Sequence, residues 1–521
     1  MNFLKMCTST YSAVALIVLL SIFSGHLYAE NNTGVYNVCD FGATANGKTV
    51  DSDAINRAIH AANKAGGGTI VFPAGDYLSY SLRLKSNISI YLSQGATIVA
   101  AEPTGSSGYD PPEEGPGNRY QDYGHSHWHN SLIWGEDLEN ISITGPGMIH
   151  GKGLKRSRPY RFPHANKAIA LKNCRNVILK DFTVLMGGHF GILATGVDNM
   201  TIDNLKMDTN RDGIDVDCCR NVRISNCSIN SPWDDAICLK SSYALGYARA
   251  TENVTITNCQ VSGYDRGTFL NGTYQKKEAH LVPDHEGPTG RIKFGTESNG
   301  GFKNITISNC VFDYCRGLAL ETVDGGLLED VTISNITMRN TINSPIFLRL
   351  GARMRGPDNT PVGKLRRINI SNVVIYNADS RFSCLITGIP DHHIEDVTLS
   401  NINIWYKPLD SESVIIPENV PEMADGYPEP QKFGLIPSYG FFIRHAKNVK
   451  MHNINIYLTG NEKRPAILLD DVHGLYLTNS EFQQPENGES MHIMHSANIK
   501  IKGCENMQDT ELEQIENKII K

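Results

Sequence analysis

The sequence predicts an all-β fold, a right-handed parallel β-helix (a solenoid) with an N-terminal capping helix. Three observations carry this. A short alternating run, bounded by Asn, recurs down the chain, as in Asn199-Met-Thr-Ile-Asp-Asn and Asn221-Val-Arg-Ile-Ser-Asn. Its shortest spacings are 22, 23, 24 and 26 residues, which are the lengths of solenoid coils. Helical periodicity is scarce in these repeats, which disfavours leucine-rich and helical solenoids.

The elements follow in order. Residues 1–29 read as a secretory signal peptide: Lys5, an apolar run from Ala13 to Phe23, and a small-residue cut after Ala29. That run is shorter than the roughly 20 residues a membrane span needs. Residues 30–521 then form one parallel β-helix domain without a linker. Asp51 to Ala62 is an amphipathic helix with an acidic capping start. Gly66-Gly67-Gly68 ends it, and Thr69 resumes strand. The helix would cover the open end of the solenoid, where core and strand edge are otherwise exposed.

Further copies of the motif start at Asn140, Asn176, Asn253, Asn304 and Asp330. Later ones start at Arg367, Asp396, Asn448, Gly474 and Asn498. Alternating β-branched residues give each strand one inward face. The corner Asn residues are expected to ladder from coil to coil, satisfying exposed backbone groups.

Composition narrows the function. The 521 residues are 40% hydrophobic and 20% charged, with a net charge of −7. Such a balance is globular, and its sign gives no electrostatic reason to bind nucleic acid or an anionic membrane. Twelve Cys, one of them in the leader, do not make a disulfide framework. Cys174, Cys227, Cys259 and Cys310 sit in or beside the repeat and read as buried apolar positions. Cys218, Cys219 and Cys238 remain able to pair. No Cys-x-x-Cys or His-Glu-x-x-His occurs, so no metal site is expected.

Equal phase in successive coils brings side chains about 5 Å apart, one strand spacing. Counting thirteen residues from each opening Asn gives the column His189, Asp212, Asp234, Arg266, with Asp235 beside it. Carboxylates that close cannot all ionise freely, so one pKa should rise. That is how two acids divide the work of glycosidic cleavage: one protonates the leaving oxygen, another activates water. Spacing alone also allows a bound cation or a solvated acidic ladder. Asp215 and Asp217, on the strand of Asp212, read as hydrogen-bonding support or as solvated residues.

Several motifs carry a resemblance. They are Asp40-Phe-Gly-Ala, Asp51-Ser-Asp-Ala, Gly145-Pro-Gly-Met-Ile-His-Gly, Asn210-Arg-Asp-Gly-Ile-Asp and Trp233-Asp-Asp-Ala-Ile-Cys-Leu-Lys-Ser. Together they make the sequence resemble glycoside hydrolase family 28, the polygalacturonase family, over essentially all of residues 30–521. The resemblance implies hydrolysis with inversion, Asp234 as general acid, Asp212 and Asp235 positioning and deprotonating water, and no metal or organic cofactor. It also implies a pectic polysaccharide or oligosaccharide as partner; a monomer is expected, and the leader makes it secreted or periplasmic.

Two family motifs are altered. Gly290 or Tyr264 falls near the His of Gly-His-Gly, while His280 and His285 lie in the insertion between them. The Arg-Ile-Lys clamp on the galacturonate carboxylate is missing, and Gly317-Leu-Ala-Leu-Glu-Thr stands in its place, with Ala319 and Glu321 for Arg and Lys. A Glu repels a uronate, so a rhamnogalacturonan-type substrate is favoured over plain homogalacturonan. His189, Lys240, Arg266 and Glu321 are the expected substrate-binding residues, and Arg353 and Arg355 are weaker candidates. The segment from Pro417 to Pro437 is a long loop expected to wall off one end of the cleft. A polysaccharide lyase and a non-catalytic carbohydrate-binding β-helix are the alternatives on the same fold.

Overall fold

A computed structural model describes residues 34–115, 118–121, 125–155, 162–276, 287–407, 409, 415–417, 419–486 and 488–521. The leader, His280 and His285 lie outside them. Among the described residues thirty-five strands join in one sheet system that winds around a single axis. Pairing is parallel from coil to coil: Arg175–Lys180 lies between Glu139–Thr144 and Asp198–Asp203, in register. Among the strands of the described residues only the last, Thr510–Ile520, runs antiparallel, against Met491–Lys502. Among the described residues no helix is long and apolar enough to cross a membrane.

The corners explain the Asn. Asn140, Asn176, Asn199, Asn221, Asn253 and Asn304 all have φ near +55°, a left-handed conformation that Asn tolerates better than most residues. Each side-chain amide donates to the Asn one coil below, from Asn140 on Asn87 (2.9 Å) to Asn304 on Asn253 (2.7 Å). The repeat motif is therefore a corner followed by a strand, and Ile, Val and Leu at alternate positions fill the interior.

The helix runs Ser52–Lys64 and buries Ile55, Ala58, Ile59 and Ala62. Asp51 does not cap it through its side chain. Its carboxylate instead accepts from the Thr44 and Ala45 amides, at 2.8 and 3.1 Å. The eleven described Cys are free thiols. Cys218, Cys219 and Cys238 face three different carbonyls, those of Ser242, Ala194 and Gly295, so the possible pairing among them is not realised.

One sheet differs from the rest. Its strands Phe190–Thr195, Asp212–Asp217, Ile237–Ser241, Ile292–Ser298, Leu318–Thr322 and Ile346–Leu350 are buried on both faces. Ile214, Val216, Ile237, Leu239, Phe294 and Leu320 face the interior. The outward positions carry Asp215, Asp217, Lys240, Lys293, Glu321 and Arg349, yet these too are covered. The segment between Tyr406 and Phe441 supplies part of the cover. Its Val420, Phe433 and Ile436 pack on Ala319, Phe347 and Leu385. Arg349 fastens it by donating to the carbonyls of Glu422 and Met423, both at 2.8 Å.

Candidate active site

Asp212 opens the strand Asp212–Asp217, and Asp234 and Asp235 lie in the turn before Ile237–Ser241. Carboxylate oxygens of all three lie within 4.8 Å of one another. The column needs correcting at three rungs: Phe190 rather than His189 pairs with Asp212, Asp235 rather than Asp234 follows it, and Arg266 drops out. Ile214 pairs with Ile237 and Phe190 with Asp212, so continuing that register places Asp235, not Asp234, in phase with Asp212. The preceding strands pair at a spacing of 22, as Asp208 with Asn230. The turn through Pro232 and Trp233 holds one residue more, and that residue shifts the count. Asp234 is thereby pushed to the rim, with its side chain 19% exposed against 5% for Asp212 and 2% for Asp235.

Each acid has its own electrostatic setting. Asp234 Oδ2 accepts from Arg211 Nε at 2.8 Å, and its Oδ1 accepts from the Asp235 amide at 3.1 Å. Asp235 is ion-paired with Arg291 Nε at 2.8 Å and lies 3.6 Å from Lys293 Nζ. Asp212 has no cation that close. Burial, followed by the charges of Asp234 and Asp215, pushes its pKa well above the carboxylate range. Asp215 is also pushed up, first by burial. Both of its oxygens lack a hydrogen bond, although Lys240 Nζ stands 3.9 Å away. A proton shared within this buried acidic group is what the geometry dictates.

The expected flanking residues divide. His189 is at the site: its Nε2 lies 4.0 Å from Asp212 and its Nδ1 3.2 Å from Arg211 Nη1. Arg266 is not in the column. The chain leaves the coil after Gln260–Ser262 and rejoins it at Ile292–Ser298, and Arg266 is exposed over the Trp233 ring at 5.5 Å. Lys240 and Glu321 are buried in ion pairs. Lys240 is buried against Glu297 at 3.1 Å, and Glu321 is fully buried beneath Lys293 at 3.6 Å. Arg353 and Arg355 are likewise bound to Asp324 and Glu297.

The two altered motifs also resolve. Gly290 follows the phase of Asp235, and a Cβ there would stand 2.2 Å from the Ser262 carbonyl oxygen. No His fits that backbone. Tyr264 is engaged elsewhere, with its hydroxyl donating to Asp313. The expectation that Arg-Ile-Lys is missing is wrong, since the tripeptide is present in the sequence. Arg291-Ile292-Lys293 stands one coil before Ala319 and Glu321, with Lys293 paired to Ala319.

These cations are already matched. Glu429, from the covering segment, places one oxygen 2.5 Å from Arg291 Nη2 and the other 2.7 Å from Arg316 Nη1. Burial opposes its charge, but Arg291, Arg316 and Lys293 hold its pKa down to about 2. Glu321 goes the other way: burial pushes it from 4.5 to about 7, against Lys293 and Arg291. The sign of the consequence is fixed by linkage. The fold binds the Glu321 proton more tightly than the unfolded chain does, so stability falls as pH rises from about 4.5 through about 7. Glu321→Gln is therefore expected to gain stability relative to the parent over that range, by up to about 3 kcal/mol. Denaturant melts at pH 5 and pH 8 check it, and a difference independent of pH contradicts it.

The family model described as rhamnogalacturonase A/epimerase, pectate lyase-like, matches residues 35–174, and the model for a right-handed β-helix region matches residues 167–341. A probable polygalacturonase of Vitis vinifera is 26% identical over 358 residues, covering 60% of this chain and 68% of the relative. A probable polygalacturonase of Arabidopsis thaliana is 25% identical over 375 residues, covering 68% of this chain and 69% of the relative. The solved family 28 exopolygalacturonase of Yersinia enterocolitica superposes with a TM-score of 0.62 at 19% identity, over 85% of this chain and 78% of that one. At this identity the superposition shows a shared coil architecture, while the plant relatives share sequence along much of its length. The chain is thus a right-handed parallel β-helix whose sequence is similar to the polygalacturonases.

Proposed function

We propose that this chain is a pectin-degrading glycoside hydrolase that cleaves a galacturonate-containing backbone. The observation that carries the proposal is the cluster of Asp212, Asp234 and Asp235, in which one acid reaches the surface and two stand behind it. Asp234 is the general acid, because a group that protonates a leaving oxygen must meet the substrate. Asp212 and Asp235 hold and deprotonate the water, and inversion follows. Arg211 is the cation at the cleft surface, 29% exposed and paired with Asp234. A substrate uronate competes for it and releases Asp234 to take up its proton.

The subsite served by Arg291 and Lys293 is one where Glu429 already supplies the carboxylate. A neutral sugar beside the cut suits that arrangement, which favours a rhamnogalacturonan-type substrate. The covering segment closes the cleft toward the later coils, which suits action from a chain end. Residues 30–521 act as one catalytic domain and one monomer, exported by residues 1–29 to the periplasm or the medium.

One observation favours a second stereochemical course. Separations within 4.8 Å lie nearer the ~5–5.5 Å of retaining enzymes than the ~6.5–9.5 Å of inverting ones. Digestion of homogalacturonan and rhamnogalacturonan side by side, with products followed by mass and by anomeric proton NMR, tests the whole reading. The expected result is faster cleavage of rhamnogalacturonan, with the inverted anomer appearing first. First appearance of the retained anomer replaces the single displacement by a double one. An unsaturated, ultraviolet-absorbing product makes the protein a lyase, and no product makes it a binding module.

A further inference from the structure

Away from the acids, three imidazoles converge on one carboxylate. Asp471 lies at a left-handed corner (φ 54°) directly above another, His445 (φ 51°). His473 follows two residues later. His393 ends the turn between Cys384–Thr387 and Ile394–Tyr406, a turn closed by the Ile389–His392 bridge. Asp471 Oδ1 is 2.8 Å from His473 Nε2, and its Oδ2 is 3.0 Å from His393 Nε2 and 2.7 Å from His445 Nδ1. His445 is held at its other nitrogen as well, by Glu422 at 3.1 Å. His393 Nε2 is buried and, despite its short distance, out of line for a hydrogen bond to Asp471.

The geometry points to a site for a divalent transition cation of the zinc class, with His393, Asp471 and His473 as ligands. Their donor atoms lie within 4.8 Å of one another. Tetrahedral zinc at ~2.0–2.1 Å from each requires donors roughly 3.3 Å apart, a contraction that side-chain rotation supplies. Two imidazoles and one carboxylate suit zinc and disfavour calcium or magnesium, which take oxygen ligands. His445, fixed at both nitrogens, orients the Asp471 carboxylate rather than ligating. A bound cation would pin the turn before Ile394 to a coil two rungs further on. No spacing motif signals this site, because His393 is brought to Asp471 only by the stacking of coils.

The proposal does not rest on the hydrolase reading. Its test is calorimetric titration of the chelator-treated full chain with zinc chloride, and separately with calcium chloride. One equivalent of zinc is expected, with little uptake of calcium and a raised melting temperature. His393→Ala and, separately, the exposed-site variant His473→Gln are each expected to weaken that equivalent at least tenfold, with circular dichroism verifying the fold. Asp234→Asn is expected to retain it. Absence of a stoichiometric zinc equivalent, its persistence in both His variants, its loss in Asp234→Asn, or tighter calcium than zinc binding overturns the proposal.

Discussion

Asp234→Asn is expected to lower hydrolysis of a galacturonate-containing pectic polymer by about 10³-fold or more, leaving the melting temperature almost unchanged. A positioned proton donor contributes typically about 10²–10⁴-fold, and Asn cannot supply a proton. The fold has little to lose. The Asn carbonyl still accepts from the Asp235 amide, and the pair with Arg211 is partly exposed, where ion pairs add roughly 0–1 kcal/mol. Reducing-end release and a thermal melt on the same sample check both halves. A variant that keeps a tenth of the activity removes Asp234 from the chemistry. Asp235 offers no such clean test, because its carboxylate balances the buried Arg291.

Glu429→Ala is expected to cost about 3–5 kcal/mol of stability, the range for breaking a buried pair and leaving charge uncompensated. Arg291 and Arg316 are almost fully buried, and Lys293 is close by. Removing Glu429 takes the carboxylate from Arg316 and leaves Arg291 and Lys293 to Asp235 and Glu321 beside a small void. Added galacturonate or acetate should then raise the melting temperature of the variant and leave the parent unmoved, since a free carboxylate fills the place Glu429 vacates. A variant as stable as the parent, indifferent to both anions, shows that Glu429 is not the ion that matches this clamp. The experiment also tests substrate choice: an opened clamp should shift the preference toward homogalacturonan.

Much of this was legible in the residues. The alternation of Ile and Val with polar residues dictated strands with one inward face, and the spacing of Asn dictated the coil. The left-handed corners at Asn176, Asn199 and Asn221 follow from a residue that, with Gly and Asp, accepts φ near +55° more readily than most. The approach of Asp212 to the Asp234-Asp235 pair was readable for the same reason, since one coil separates them.

The sequence on its own therefore determined the solenoid, its corners and the meeting of three acids, because each depends on residues no more than one coil apart. Tertiary structure alone decided which acid faces outward. A single additional residue at Pro232-Trp233 is absorbed by a turn and leaves no mark on strand periodicity. It also decided that Arg266 stands outside the column and that Glu429 pairs with Arg291 and lies close to Lys293. These contacts join segments that a repeat does not relate. A covering loop obeys no period, so its side chains find their partners only when the coils it crosses are already stacked.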